Sequence, residues 1–347
     1  MRKITTMATI AILTILPFIG GCKGSPDDPL GLAAAVAVGI PTEPGDNPGG
    51  GSEPTFNGLN SAIVTGVDTL TLSWTAATDD VSDSANIVYD IFQASTAGGQ
   101  VFGTPTHTTA AGATSFNVTG LARDTDYFFV VRARDEAGNS DTNTTETQKQ
   151  IETLFVDDFE DQATTGWSIS GSSGSVVANI TPPDDSGHAL YPTTIIPPGS
   201  KCMQFNVTSD FNAANVTTTF SAINPTYVGF YYRNHYGQPV KLNFGDGTNN
   251  IFSAYRANDN SNVGEIHYGD GSVLALGSHG AVWVHYEFKN INWLAQTFDI
   301  WIDGVETGTG LDFIAAASTV TALTELDIYL YWEMEGEIQI DEIYMLK

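Results

Sequence analysis

Basic residues are scarce in this chain. Only 13 Lys and Arg stand against 40 Asp and Glu in 347 residues, a formal net charge of −27. So negative a surface repels nucleic acid and bare anionic membrane, which argues against either as a direct partner. It favours solubility and suits cations, neutral ligands or basic partners. Helical periodicity over any long segment is also lacking, and so are the usual catalytic signatures. There is no Gly-x-Ser-x-Gly elbow, no His-Glu-x-x-His and no phosphate loop. The six histidines are scattered without ligand spacing, and no Arg-Gly-Asp triplet occurs. What is present is 41% apolar residues with plentiful Gly, Thr, Asn and Ser, the composition of a globular β-rich chain with about two domains' worth of length.

At the N-terminus Arg2 and Lys3 precede an apolar run from Ile4 to Ile19, too short and too near the terminus for a membrane span. The run ends in Ile19-Gly20-Gly21-Cys22, which resembles the lipobox of bacterial lipoproteins. That resemblance implies a signal peptide over 1–21 and a lipid-modified Cys22, with the membrane met only through the lipid. Loss of Arg2 and Lys3, with no acid lost, would take the net charge from −27 to −29. Lys23 stands where a retention signal carries Asp, which by the same resemblance favours the outer membrane and exposure at the cell surface. A lipidated Cys22 forms no disulfide. Cys202, in the strand-like KCMQFNV, then reads as a lone, small core residue. Residues 22–54, ending GDNPGGGSEP, form a flexible tether.

From 55 to 153 the period is two: LTLSW, IVYDIFQAS, TSFNVTGL and YFFVVRARD, separated by turn residues. Leu70, Leu72 and Trp74 alternate inward. Val88, Asp90 and Phe92 share one face of the next strand, and Tyr89 and Ile91 the other. In GLARDTDYFFVVRARDEAGNS, Leu121 precedes Tyr127 by six residues and Phe129, Val131 and Ala133 alternate after it. With Trp74, this resembles a fibronectin type III domain, in which the tyrosine closes a strand corner through its hydroxyl. The resemblance implies a spacer or adhesion platform. The acidic turn Asp79-Asp80-Val81-Ser82-Asp83 reads as an exposed loop, with calcium binding as the alternative.

Residues 154–347 again break into more than ten short strands. Gly-Asp-Gly at 245–247 and 269–271, and Asp303-Gly304, mark hairpins because these residues tolerate positive φ. Strands so numerous in one unit predict a two-sheet jelly roll. FVDDFED with Gly166-Trp167 at the start, TFDIWIDGV late and IQIDEIYM at the end resemble concanavalin A-like and carbohydrate-binding jelly rolls. The fold class expected is therefore all-β: a fibronectin type III sandwich followed by a larger jelly-roll sandwich. In the resembled family, acids of the opening and closing strands share a structural calcium. Carried over, those positions are Glu160 and Asp341, with Asp158 beside them, and a cation there would pin the two terminal strands together.

TELDIYLYWE, residues 324–333, opens as the catalytic strand of jelly-roll glucanases does. Such enzymes need two carboxylates about 5 Å apart. Alternation lines up Glu325, Asp327 and position 329, but position 329 is Tyr and 330 is Leu. Glu333 lies about 13 Å further along the strand, too far to substitute. The strand is also almost the last of the chain, whereas the catalytic one lies mid-domain. The expectation is no enzyme. Asp327, Tyr329, Tyr331 and Glu333 share one face, with Leu326, Ile328, Leu330 and Trp332 turned to the core. Tyrosines flanked by carboxylates suit sugar, whose apolar ring faces stack on aromatics while its hydroxyls bond acids. Similar alternation puts Trp283 with His285 and Glu287, and Trp301 with Asp299 and Asp303. Tyr227, Tyr231 and Arg233 form a further row.

The expected carbohydrate contacts are Tyr329, Tyr331, Trp301, Trp283 and Asp327. The whole reads as a monomeric surface lipoprotein whose jelly roll holds carbohydrate or glycoconjugate without cutting it. A protein-binding adhesin or structural envelope subunit stands beside this reading and would show a contiguous exposed apolar patch. A hydrolase or lyase would show two converging carboxylates.

Overall fold

The computed structural model describes residues 51–171, 176–181, 201–207, 214–235, 240–256, 263–278, 282–314, 320–330 and 336–347. Cys22, with the rest of the leader and all but the last residues of the tether, and Tyr331 and Glu333 lie outside them. Among the described residues the only helix is the three-residue turn Ser84–Asn86, and none is long and apolar enough to cross a membrane. The chain is all-β.

Seven strands form the first sandwich: β1 Ser61–Gly66, β2 Thr69–Ser73, β3 Val88–Ala94, β4 His107–Thr108, β5 Ser115–Val118, β6 Tyr127–Arg134 and β7 Thr147–Lys149. They make a three-stranded sheet, β1-β2-β5, and a four-stranded one, β4-β3-β6-β7. Leu70, Leu72, Tyr89, Ile91, Phe129, Val131 and Ala133 are all fully buried between them, as the period-two pattern requires. Trp74 is buried and donates its indole N–H to the Ala113 carbonyl at 3.0 Å. The Ala122 N–H donates to the Tyr127 hydroxyl at 2.9 Å, which ties the corner before β6. The Asp79 turn is a local Asx structure, since one carboxylate oxygen accepts from the Val81 and Ser82 N–H groups.

Fifteen strands follow among the described residues. They are β8 Thr153–Asp157, β9 Trp167–Gly171, β10 Val176–Thr181, β11 Cys202–Val207, β12 Ala214–Ile223, β13 Tyr227–His235, β14 Val240–Gly245 and β15 Asn250–Arg256. After them come β16 Val263–Tyr268, β17 Ser272–Ser278, β18 Val284–Asn292, β19 Thr297–Ile302, β20 Val305–Asp312, β21 Leu323–Leu330 and β22 Gly336–Leu346. One sheet runs β10-β11-β22-β13-β18-β19-β20 with β8 also on β22; the other runs β17-β16-β15-β14-β21-β12-β9, and every pairing is antiparallel. The core between them stacks aromatics, with Phe252 on Phe288 at 3.9 Å and 11° and Phe230 on Tyr286 at 5.2 Å and 10°. Cys202 is buried and forms no disulfide among the described residues. Asp303 and Gly304 both have positive φ and turn β19 into β20.

The two sandwiches share apolar contacts. Tyr227, Tyr344 and Leu346 of the second are buried in the core of the first, alongside Leu59, Val64 and Leu121. Glu152 and Lys347 exchange both backbone hydrogen bonds, and Arg123 lies 4.6 Å over the Tyr344 ring. The first sandwich is thus docked on the second, a closer relation than the sequence-level expectation of a spacer. Gly229 makes this possible. It faces Glu287 in the β13–β18 register, and a Cβ there would lie 2.6 Å from the Tyr227 hydroxyl. Without it, the Tyr227 ring crosses the strand and its hydroxyl donates to Glu287 at 3.1 Å.

Candidate functional site

Leu326, Ile328 and Leu330 of β21 are buried in the core, so Glu325, Asp327 and Tyr329 face outward from the seven-stranded sheet. The register then builds an outer face that no single strand announces, on which Ser253 is fully buried and Asp327 is 9% exposed. Tyr329 lies between Asn215 of β12 and Lys241 of β14; Lys241 lies opposite Tyr255, and Tyr255 opposite Glu265. One step along, Asp327 sits between Thr217 and Asn243, followed by Ser253 and His267. Two parallel rows of polar and aromatic side chains therefore cross five strands, β12 to β16, a width of about 19 Å at the usual strand spacing.

The second row is internally bonded. The Thr217 hydroxyl donates to Asp327 Oδ1 at 3.0 Å, Asn243 Nδ2 donates to Oδ2 at 3.3 Å, and the Ser253 hydroxyl donates to Asn243 Oδ1 at 2.9 Å. His267 bonds Glu265 at 3.0 Å and meets the Tyr255 ring edge-on at 5.1 Å. These bonds fix the side chains before any ligand arrives, which lowers the ordering cost of binding. Burial raises the Asp327 carboxyl above its ordinary range, against the two hydrogen bonds that lower it. Burial also raises Glu325, with Asp327 and Asp246 adding to it, and burial lowers the Lys241 amine. Both Asp327 oxygens are already committed, and position 329 carries a phenol where a glucanase needs an acid.

Other expected contacts lie elsewhere. Trp301 is half-buried on the outer face of the eight-stranded sheet, with Lys289 Nζ 4.8 Å from its ring centre. Trp301 and Tyr329 are on opposite faces of the sandwich and cannot share one ligand subsite. Trp283 is only 2% exposed and its indole N–H has no partner among the described residues. The expectation that it contacts sugar is corrected: it lies just before β18, where strand alternation no longer governs direction. Tyr227, 1% exposed, and Arg233, 2% exposed and bonded to Gln339, are buried rather than presented. The sequence reading overlooked Lys241, Asn243, Ser253, Tyr255 and His267. VKLNF and IFSAY carried the signal in their alternation, but only the register sets them beside Asp327 and Tyr329.

The acids of the chain ends also meet. β8 pairs with β22 from Ile343 onward, and β11 pairs with the same edge up to Ile340. The interval between them is Asp341-Glu342. The register against β13 slips by one residue there, and Glu342 has φ of 52°. This bulge turns consecutive acids outward while Ile340 and Ile343 stay in the core. Asp341 is fully buried, its Oδ2 lacks any partner among the described residues, and burial pushes its carboxyl up to about 8. Glu342, Glu160 and Asp158 push it in the same direction. Glu160 accepts from the Lys201 N–H at 2.7 Å. Asp341 Oδ1 accepts from the Glu342 N–H at 2.8 Å, and a buried carboxylate with one oxygen left over and acids around it fits a hard divalent cation. Yet no three acidic, His or Cys side chains among the described residues already stand at metal-cage spacing, so an ion would have to draw them in.

Residues 52–150 match the fibronectin type III family model. They form a fibronectin type III domain. Among curated proteins the chain is 35% identical over 137 residues to chitinase A1 of Niallia circulans, 39% of this chain and 17% of that one. It is 40% identical over 68 residues to exoglucanase A of Cellulomonas fimi, 20% of this chain and 7% of that one. The chain thus spans less than a fifth of either relative. Among solved structures it is similar to a carbohydrate-binding module of the β-sandwich superfamily (14% identity, TM-score 0.33, covering 85% of this chain and 98% of that one). It is similar also to the cellulose-induced protein Cip1 (17% identity, TM-score 0.37, covering 55% and 95%). At such scores these two bear on neither mechanism nor ligand.

Proposed function

We propose that this protein binds carbohydrate without cutting it, on the outer face of the seven-stranded sheet. The observation that carries the reading is the double row from β12 to β16. Tyr329 and Tyr255 offer ring faces to the apolar faces of sugar rings. Lys241, Asn243 and Glu265 offer donors and acceptors to hydroxyls. The relatives named chitinase and exoglucanase are in keeping with a polysaccharide partner. The reading is non-catalytic, and Tyr329 at the acid position with Asp327 held by two neighbours supports it against a jelly-roll glucanase mechanism on this strand. The reading includes a bacterial outer-membrane lipoprotein anchored through Cys22, which rests on the lipobox-like Ile19-Gly20-Gly21-Cys22. It also includes a structural calcium ion taken by Asp341 with Glu160 and Asp158, joined by Glu342. Its chemistry there is to neutralise buried carboxylates and hold β8 against β22.

A glycan array probed with the full chain tests the sheet face. Tyr329→Ala is expected to weaken binding to the preferred glycan roughly tenfold or more, about 1.4 kcal/mol, with the melting temperature nearly unchanged. Undiminished binding by that variant would remove the sheet face as the site.

A further inference from the structure

The docked fibronectin domain does more than pack. Its β1–β2 hairpin overhangs the outer face of the eight-stranded sheet and leaves a cleft of about 560 Å³. That is within the range of small-ligand sites, which favour domain junctions. The upper wall is Thr65, Thr69, Thr71, Asn117 and Thr119; the floor is Trp301, His285, Glu287 and Lys289.

The upper wall is a polarised chain of donors. The Thr71 hydroxyl donates to Asn117 Oδ1 at 2.8 Å, so the proton between Thr65 and Thr71, also 2.8 Å apart, comes from Thr65. The chain ends on the Asn117 side-chain amide, whose two N–H groups are donors. On the floor, Glu287 is 7% exposed and bonds Lys289 at 3.0 Å and the Tyr227 hydroxyl at 3.1 Å. His285 stacks on Tyr231 at 4.2 Å, and burial lowers its pKa, so it is neutral at pH 7. An anion would find its one cation already paired; a cation would have to displace Lys289 from Glu287 or compete for Asp68, whose oxygens already accept from the Thr69 hydroxyl at 2.8 Å and the Gly120 N–H at 3.2 Å. An apolar ligand would offer no acceptor to the Asn117 amide hydrogens at the end of the chain. What fits is a neutral ligand rich in hydroxyls with a flat face for Trp301.

We propose that this junction is a second carbohydrate site, built by both domains, that takes a short neutral saccharide between Trp301 and the Thr65–Thr71–Asn117 chain. The ligand class rests on the carbohydrate reading above; the location rests on the cleft alone.

Isothermal titration of the full chain with soluble glucan and chitin oligosaccharides tests it, using the wild type, Trp301→Ala, Asn117→Ala and Tyr329→Ala. Asn117 is exposed on its own domain, so its variant keeps the fold if Trp301→Ala does not. The expected result is two sites in the wild type. One of them weakens tenfold or more in both Trp301→Ala and Asn117→Ala and survives in Tyr329→Ala. A single site, untouched by Trp301→Ala and Asn117→Ala but lost in Tyr329→Ala, overturns the cleft and leaves the sheet face. A single site lost in the cleft variants alone supports the cleft and overturns the sheet face. No binding to any oligosaccharide overturns both.

Discussion

Tyr227→Ala is expected to destabilise the protein by about 3–5 kcal/mol, the usual cost of truncating a buried aromatic. Two losses add up. The ring is 1% exposed and sits in the fibronectin core although β13 of the jelly roll carries it. Its hydroxyl is also one of the donors that hold the buried Glu287, which would keep Lys289 at 3.0 Å and the more distant His285 at 3.8 Å. Because the ring belongs to both domains, thermal denaturation should show one transition in the wild type, shifted down by roughly 10 °C in the variant. Tyr227→Phe should cost about 1–3 kcal/mol, the penalty for removing one partner of a buried acceptor. Two independent transitions in the wild type would mean that the shared contacts do not couple the domains. The same coupling bears on any dissection. A fragment beginning at β8 would expose Tyr227, Tyr344 and Leu346, so binding studies belong on the full chain.

Calcium is expected to raise the melting temperature, and to raise it more at pH 8.5 than at pH 6. Asp341 is the reason. Its folded carboxyl is pushed up to about 8, against about 3.9 in an unfolded chain. Between those values the folded state holds a proton that the unfolded state has released. In chelator, stability therefore falls as pH rises through this window, by at most about 1.4 kcal/mol per pH unit for this one group. Burial raises Glu342 and Asp157 as well, with the same sign. His285 acts oppositely, because its pKa is lowered and stability is lost as pH falls below about 6.5. The slope is thus best read from about pH 7 to 8, and it levels off by about pH 9 once the folded carboxyl has also ionised. A bound divalent ion favours the ionised acids and must compete with protons, so its effect grows with pH. At a hundred times its dissociation constant it would add about 2.7 kcal/mol. Asp341→Asn should abolish the calcium effect and flatten the slope in chelator. Scanning calorimetry across that pH range, with calcium and with chelator, makes the comparison. Absence of any calcium shift at pH 8.5 would eliminate the ion from the account.

Local chemistry was legible in the sequence and tertiary placement was not. Leu121, Tyr127 and Trp74 marked the fibronectin domain because a corner tyrosine and a buried indole need fixed spacings. Asp303-Gly304 marked a hairpin because few other pairs accept positive φ at both positions. Alternation correctly turned Asp327 and Tyr329 away from Leu326, Ile328 and Leu330. It could not say which sheet a strand joins. Tyr329 and Trp301 therefore looked alike, though one lies on the open face and the other under a docked domain. Trp283 failed because alternation was carried back one residue before the start of β18. Glu342 was missed because a bulge in β22 breaks the period between Ile340 and Ile343. Lys241, Asn243, Ser253 and Tyr255 were each visible as outward residues, yet their meeting with Asp327 depends on a pairing order that one sequence does not encode legibly.

The most direct test of the central claim is a two-dimensional NMR titration of the full chain with the best-binding neutral oligosaccharide. The sheet-face reading predicts amide perturbations at Thr217, Lys241, Asn243, Ser253, Tyr255, Asp327 and Tyr329, which four strands bring into two adjacent rows. Perturbations that spare all seven while binding proceeds would contradict it.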